Sequence, residues 1–335
     1  MNLDGTGISV EVSDLHLGQK ETMQWARGVP YRLPAYSRAG AATITGSENN
    51  DTVLLTQDSR GDTVLSVASQ GRQASLNLGR IASLKWYGRG GDDTFSLDVR
   101  DYYGGVILDG GEGNDTMDVT LEKAFQRGLN IQGQTGNDIL SATVSDLSVS
   151  MEGGAGNDQM TLKTFFPSTN FTQQLYGQEG NDYLQGGMGH DALYGGDGED
   201  RLFGGEGNDV LHGGNGDDFL SGDEGQDILA GESGADQILG GPGDDLLLGG
   251  PGNDQLFGGS GRDTLRGGDG TDMLAPAAQT PEELYAYDRI GDHLKVLFRG
   301  THRFQPVIMT WRDINKVLLD YSPTHDWLAD ARRVV

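Results

Sequence analysis

Eleven aspartates recur every nine residues without a slip: Asp182, Asp191, Asp200, Asp209, Asp218, Asp227, Asp236, Asp245, Asp254, Asp263 and Asp272. Each is the sixth residue of a unit such as GGEGNDVLH or GGPGNDQLF, with glycine at positions one and four and an aliphatic residue at position eight. Residues 177–275 carry sixteen Asp and five Glu against three Arg, so they supply 18 of the chain's 26 net negative charges. Carboxylates at a fixed period with so few basic neighbours are suited to holding a cation. Carboxylates and backbone carbonyls in a flexible glycine loop are hard oxygen donors, a set that fits Ca²⁺ better than Mg²⁺ with its tighter octahedron. Zinc is disfavoured, because the chain has no Cys and places no His at a ligand position of the repeat.

The elements that must position these acids follow from the unit itself. Glycine at positions one, two and four admits positive φ and close backbone approach, so six residues form a tight turn. The remaining three make a short strand, with position eight on one side and positions seven and nine on the other. Leu184, Leu193, Leu202, Leu211, Leu220, Leu229, Ile238, Leu247, Leu256, Leu265 and Leu274 then stack as one internal aliphatic column per sheet. Two units make one coil, so alternate turns fall on opposite edges of a two-sheeted roll. One edge holds the turns beginning at Gly177, Gly195, Gly213, Gly231, Gly249 and Gly267; the other holds those at Gly186, Gly204, Gly222, Gly240 and Gly258. Same-edge turns about 4.8 Å apart bring their carboxylates together, and such a stack repels itself unless a cation sits between the turns. A glycine-rich linker would not hold this strict phase with its aliphatic positions.

The tandem block resembles the RTX (repeats-in-toxin, hemolysin-type) calcium-binding family, whose nonapeptide it repeats eleven times. The resemblance implies a right-handed parallel β-roll in which the eleven aspartates are side-chain ligands. Carbonyls of the glycine turns, at Gly186, Gly195, Gly204, Gly213, Gly240, Gly249, Gly258 and Gly267, complete the sites. If each ion bridges same-edge neighbours, six turns give five sites and five give four, roughly nine ions in all. It also implies export from a bacterial cell by type I secretion, with an uncleaved C-terminal signal, and a secreted or cell-surface location.

Upstream, the same turn occurs singly. GRGGDDTFS begins at Gly88, GGEGNDTMD at Gly110, GQTGNDILS at Gly133 and GGAGNDQMT at Gly153, with a degraded GSENNDTVL at Gly46. Spacings of 22, 23, 20 and 24 residues lead into Gly177, while the 42 residues from Gly46 to Gly88 read as about twice that period. These intervals predict an all-β architecture: a parallel β-helix over 41–176 with one turn per coil, continuing into the β-roll at 177–275. Strands are legible at 63–67, 75–78, 83–86 and 106–108 from β-branched content and alternation. Asp93, Asp115, Asp138 and Asp158 are expected to extend the calcium ladder of the Gly177 edge.

The flanks differ. Residues 1–40, with Trp25, Tyr31 and Tyr36, are expected to form an opposite cap or an irregular first coil. Residues 276–335 have balanced charge and no glycine repeat, and read as a small mixed cap closing the open end of the roll. There Leu294, Val296 and Phe298 alternate like a strand, and Trp311, Ile314, Leu318 and Tyr321 are spaced like a helix. His293, His302 and His325 read as ordinary cap residues. A net charge of −26 disfavours nucleic acid as a partner. No apolar run approaches the roughly 20 residues of a transmembrane helix, and the first residues lack the pattern of a signal peptide. Partners are expected to be calcium and cell-surface or matrix components, in a structural or adhesion role. There is no H-E-x-x-H and no G-x-S-x-G. The alternative is a carbohydrate-active, lyase- or epimerase-like β-helix enzyme, for which Asp98, Arg100, Asp101, Tyr102 and Tyr103 are candidates as a polar and aromatic cluster between two coils. Only Arg100 there supplies a base beside paired acids, so the chain reads as a non-enzyme. Leu246, Leu248, Phe203, Leu239 and Phe257 are more apolar than outward strand positions require.

Overall fold

The computed structural model describes residues 8–14, 20–24, 39–69, 72–102, 104–124, 128–145, 147–165, 172–275, 286–290, 293–297 and 306–310. Every regular element among them is a strand, so the protein is all-β, a parallel β-solenoid. The chain divides into two units, Met1–His190 and Asp191–Val335.

In the first unit each coil contributes one strand to each of two sheets. The first sheet runs in parallel through Ala39–Thr45, Ser83–Gly90, Gly105–Glu112, Leu129–Thr135, Val149–Ala155 and Thr172–Glu179. The second runs through Asp51–Gln57, Thr94–Tyr102, Thr116–Ala124, Ile139–Val144, Gln159–Thr164 and Tyr183–Met188. Identical register from coil to coil stacks like on like. Ile44, Trp86, Leu108, Ile131, Met151 and Leu175 form one buried column. Val53, Phe95, Met117, Leu140, Met160 and Leu184 form another. The indole of Trp86 stacks on Phe95 with ring centroids 5.1 Å apart, tying the two columns together.

The interval from Gly46 to Gly88 is not two coils. Asp51–Gln57 pairs directly and in parallel with Thr94–Tyr102, so one coil step separates them. The surplus residues form an antiparallel meander on that sheet, Thr63–Ser69 against Asp51–Gln57 and then Arg72–Gly79. The strands expected near 63–67 and 75–78 are therefore real but belong to this meander. Alternation reports a strand's faces and is silent on its direction, so the interval alone does not separate a meander from a second coil. On the first sheet Ser9–Asp14 pairs antiparallel with both Ala39–Thr45 and Lys20–Gln24. Antiparallel additions thus finish this end of both sheets. Trp25, Tyr31 and Tyr36 lie outside the described residues.

In the second unit the nonapeptides generate two all-parallel sheets, most of whose strands have six residues. One contains His190–Asp197, Val210–Asn215, Ile228–Ser233, Leu246–Pro251 and Thr264–Asp269; the other contains Arg201–Glu206, Phe219–Glu224, Gln237–Pro242, Gln255–Ser260 and Met273–Ala275. The eighth positions from Leu193 to Leu256 are fully buried, while Leu265 is half-buried and Leu274 remains 8% exposed. Aliphatic burial therefore weakens in the last coil. Beyond it, Ala286–Ile290, His293–Leu297 and Pro306–Thr310 make a three-stranded antiparallel sheet. His293 and Leu294 fall on its central strand, whereas the expected helix from Trp311, and His302 and His325, lie outside the described residues.

Candidate metal site

The turns join the sheets, and their geometry explains the glycines one position at a time. Position two has positive φ throughout the regular turns, even where it is not glycine: Arg89, Gln134, Gln178, Asp223 and Glu232 are all second residues and are the only non-glycine positive-φ residues described. Position four is likewise left-handed, as at Gly113, Gly136 and Gly216. Position one needs glycine for space instead. A Cβ on Gly133 would collide with Oδ2 of Asp138 and lie 2.6 Å from the carbonyl oxygen of Gly153 on the next coil. The expectation of positive φ at positions one, two and four is thereby corrected: the first glycine makes room for a carboxylate.

Those carboxylates form rails. In the first unit the Oδ1 atoms of Asp93, Asp115, Asp138, Asp158 and Asp182 accept the backbone N–H of the aspartate one coil earlier, at 2.7–2.8 Å. In the second unit one rail links Asp191, Asp209, Asp227, Asp245 and Asp263. The other links Asp200, Asp218, Asp236, Asp254 and Asp272. Coils of 20–24 residues and coils of 18 residues therefore present the same turn-to-turn contact. Coil length changes the length of the strands and leaves the turn spacing to the sheet. A second, outer rail runs the opposite way at position five, where sequence reasoning assigned nothing. Oδ1 of Asn114, Asn137 and Asn157 accepts the N–H of the residue at position five one coil later, at 2.7–2.8 Å, and Asn208, Asp217, Asp244 and Asn253 do so in the second unit at 2.7–3.0 Å. Its signal was present as Asn or Asp recurring before the sixth-position acid.

The inner rail is only half satisfied. The aspartates on it are buried, most at 1–3% exposure, except the last, Asp272, which is half-buried. Oδ2 of Asp93, Asp115, Asp138, Asp158, Asp209, Asp218, Asp236, Asp245, Asp254 and Asp263 is buried without a hydrogen-bond partner. A second acceptor, the carbonyl oxygen of the first glycine of the next coil, borders the same space: a Cβ on Gly204 would meet both Asp209 Oδ2 and the Gly222 oxygen, one on Gly213 both Asp218 Oδ2 and the Gly231 oxygen, and one on Gly240 both Asp245 Oδ2 and the Gly258 oxygen. Burial, chiefly, pushes these carboxyls up to about 8 at Asp93 and Asp191, about 7 at Asp138, Asp209, Asp218, Asp245 and Asp254, and about 6 at Asp115, Asp236 and Asp263. Neighbouring carboxylates add to the shift, and the N–H donor opposes it wherever one is present. Buried acceptors facing acceptors are costly unless a proton or a cation comes between them. Among the described residues no three acidic or histidine side chains converge, so any ion here would be completed by backbone carbonyls. Carboxylate and carbonyl oxygens on a flexible turn fit calcium.

Of the enzyme candidates, Asp98 and Arg100 share the exposed face of one strand, Thr94–Tyr102. The Arg100 N–H bonds the Gln57 side chain and its guanidinium is 4.0 Å from Glu122. The side chains of Asp101 and Tyr102, and all of Tyr103, lie outside the described residues. A groove of about 450 Å³ opens on the other sheet of the first unit, lined by Ser83, Lys85, Ile107, Asn130, Ser150 and Gln174 among others. Lys85 is the one charged side chain among its lining residues, so it pairs no acid with a base.

The fold and the rails define a class: a β-solenoid whose coils are joined by stacked Gly/Asp turns with hard-oxygen acceptors facing one another. Residues 103–119, 169–202, 194–229, 203–238 and 239–274 match the family model of the RTX calcium-binding nonapeptide repeat. The chain carries RTX calcium-binding repeats. No curated protein matches it.

Proposed function

We propose that calcium ions bind between successive turns of each rail and that their binding folds the roll, making the protein a calcium-dependent structural or adhesion module outside the cell. The observation that carries this reading is the row of buried Oδ2 atoms, unpartnered and set beside carbonyl oxygens of the next coil. Asp93, Asp115, Asp138, Asp158 and the eleven tandem aspartates would supply the side-chain oxygens, and the first-position glycines the carbonyls. A bound cation supplies the positive charge that lets adjacent carboxylates stay ionised out of water. Roughly nine ions would occupy the tandem block, one per pair of same-edge turns.

Coupling to folding follows from composition. A nonapeptide orders two or more glycines for each aliphatic residue it buries, and glycine loses more backbone entropy than any other residue. A site held at ten times its dissociation constant returns about 1.4 kcal/mol, so several sites acting together decide whether the roll is ordered. A block that is unfolded at cytosolic calcium and ordered at extracellular calcium suits type I secretion of an unfolded chain followed by folding outside. Circular dichroism in chelator, titrated with Ca²⁺ and separately with Mg²⁺, tests the reading. A cooperative gain of β-signal and thermal stability with Ca²⁺ alone is expected; full structure in chelator, indifferent to Ca²⁺, would overturn it.

A further inference from the structure

One rung is unlike the rest. Asp51 stands in the degraded turn Gly46-Ser47-Glu48-Asn49-Asn50-Asp51, and its N–H donates to Oδ1 of Asp93 at 2.7 Å like any other rung. Its carboxylate, however, is fully engaged. The Ser47 N–H donates to Oδ2 at 2.6 Å, and the Ser47 hydroxyl lies 3.0 Å from Oδ2 and 3.2 Å from Oδ1. Ser47 is itself 0% exposed and Asp51 1%, and Asp51 is absent from the carboxylates with an orphaned oxygen. The backbone differs as well: neither Ser47 at position two nor Asn49 at position four has the positive φ of the regular turns. The Asn49 N–H donates in turn to the Ser47 hydroxyl oxygen at 3.2 Å, fixing that rotamer.

We infer that Ser47 closes the calcium ladder: its N–H and O–H stand where the regular turns leave an oxygen for a cation, so the rung at Asp51 is metal-free and the first ion binds below Asp93. This rests on the calcium reading above. Two donors directed at a buried carboxylate give it what an ion gives the others. They also place positive hydrogen ends at the oxygen an ion would need, so the rung ends the series without an unpaired acid. The antiparallel meander that follows Asp51–Gln57 ends the second sheet at the same coil.

Native mass spectrometry of the full chain in saturating calcium counts ions directly. Asp51→Asn should leave the wild-type count unchanged, whereas Asp93→Asn should lower it by at least one. Ser47→Gly combined with Asn49→Gly restores the regular GGEGND turn and should add one ion. In chelator, where no metal contributes, the wild-type Ser47 amide should still be slow to exchange hydrogen. Loss of an ion in Asp51→Asn, or an unchanged count in a folded double-glycine variant, overturns the inference and leaves calcium binding elsewhere intact. A wild-type chain that binds no calcium overturns both readings.

Discussion

Asp218 shows what a regular rail position does with its two oxygens. Oδ1 accepts the Asp200 N–H at 2.8 Å, while Oδ2 lies buried near the Gly231 carbonyl oxygen. Its carboxyl is raised from the ordinary 3.8 to about 7, mainly by burial. A folded pKa above the unfolded one means that the fold retains protons the unfolded chain has released. Between about pH 4 and the folded values of 6 to 8, stability without metal therefore falls as pH rises. In chelating buffer the melting temperature should decline from pH 5 to pH 8, and a profile flat over that range would refute the shift. Calcium competes with the same protons, so its apparent affinity should strengthen from pH 5.5 to 7.5 in a titration calorimeter. The glycines divide by role as well. Gly213→Ala drives a methyl into Asp218 Oδ2 and close to the Gly231 carbonyl, so it should lower both calcium affinity and thermal stability. Gln178→Ala, at a second position that already carries a Cβ at φ 84°, should change neither.

Within a strand, neighbouring residues have opposite fates. Leu229 is 0% exposed and stacks in register between Leu211 and Leu247. Its neighbour Ile228 is 43% exposed on the outer face, between Val210 and Leu246. Leu229→Ala should cost about 2–5 kcal/mol, and Ile228→Ala should fall within about 0.5 kcal/mol, read as denaturant midpoints in saturating calcium. Similar losses at the two positions would mean that the outward row is covered. The alternation that separates these residues was legible in the nonapeptide, because position eight is aliphatic in all eleven units. The direction of Thr63–Ser69 was not, since a meander and a further coil have the same alternation and differ only in which strand they hydrogen-bond.

Across the whole chain, the two kinds of coil bury different amounts of apolar surface. A coil of the first unit buries several large side chains, such as Trp86, Phe95 and Leu97, where a coil of the second buries two aliphatic residues, joined in one coil by Phe257, which is buried although it stands at an outward position. Hydrogen exchange in chelator should therefore leave 83–164 protected and 191–275 fast, with calcium slowing the latter; equal protection of both would break the link between calcium and folding. The sequence by itself determined the two sheets, the phase of every turn, the inward column and the acid at each sixth position, because a nine-residue period admits one register that buries its aliphatics. Only the tertiary structure decided that wide and narrow coils share one turn spacing, that first-position glycines are spaces for carboxylates, and that Ser47 satisfies Asp51. The first two depend on atoms about 20 residues apart meeting across coils, a distance that sheet hydrogen bonding sets and a linear pattern does not record. The third depends on a rotamer and a local backbone turn, which residue identity alone leaves open.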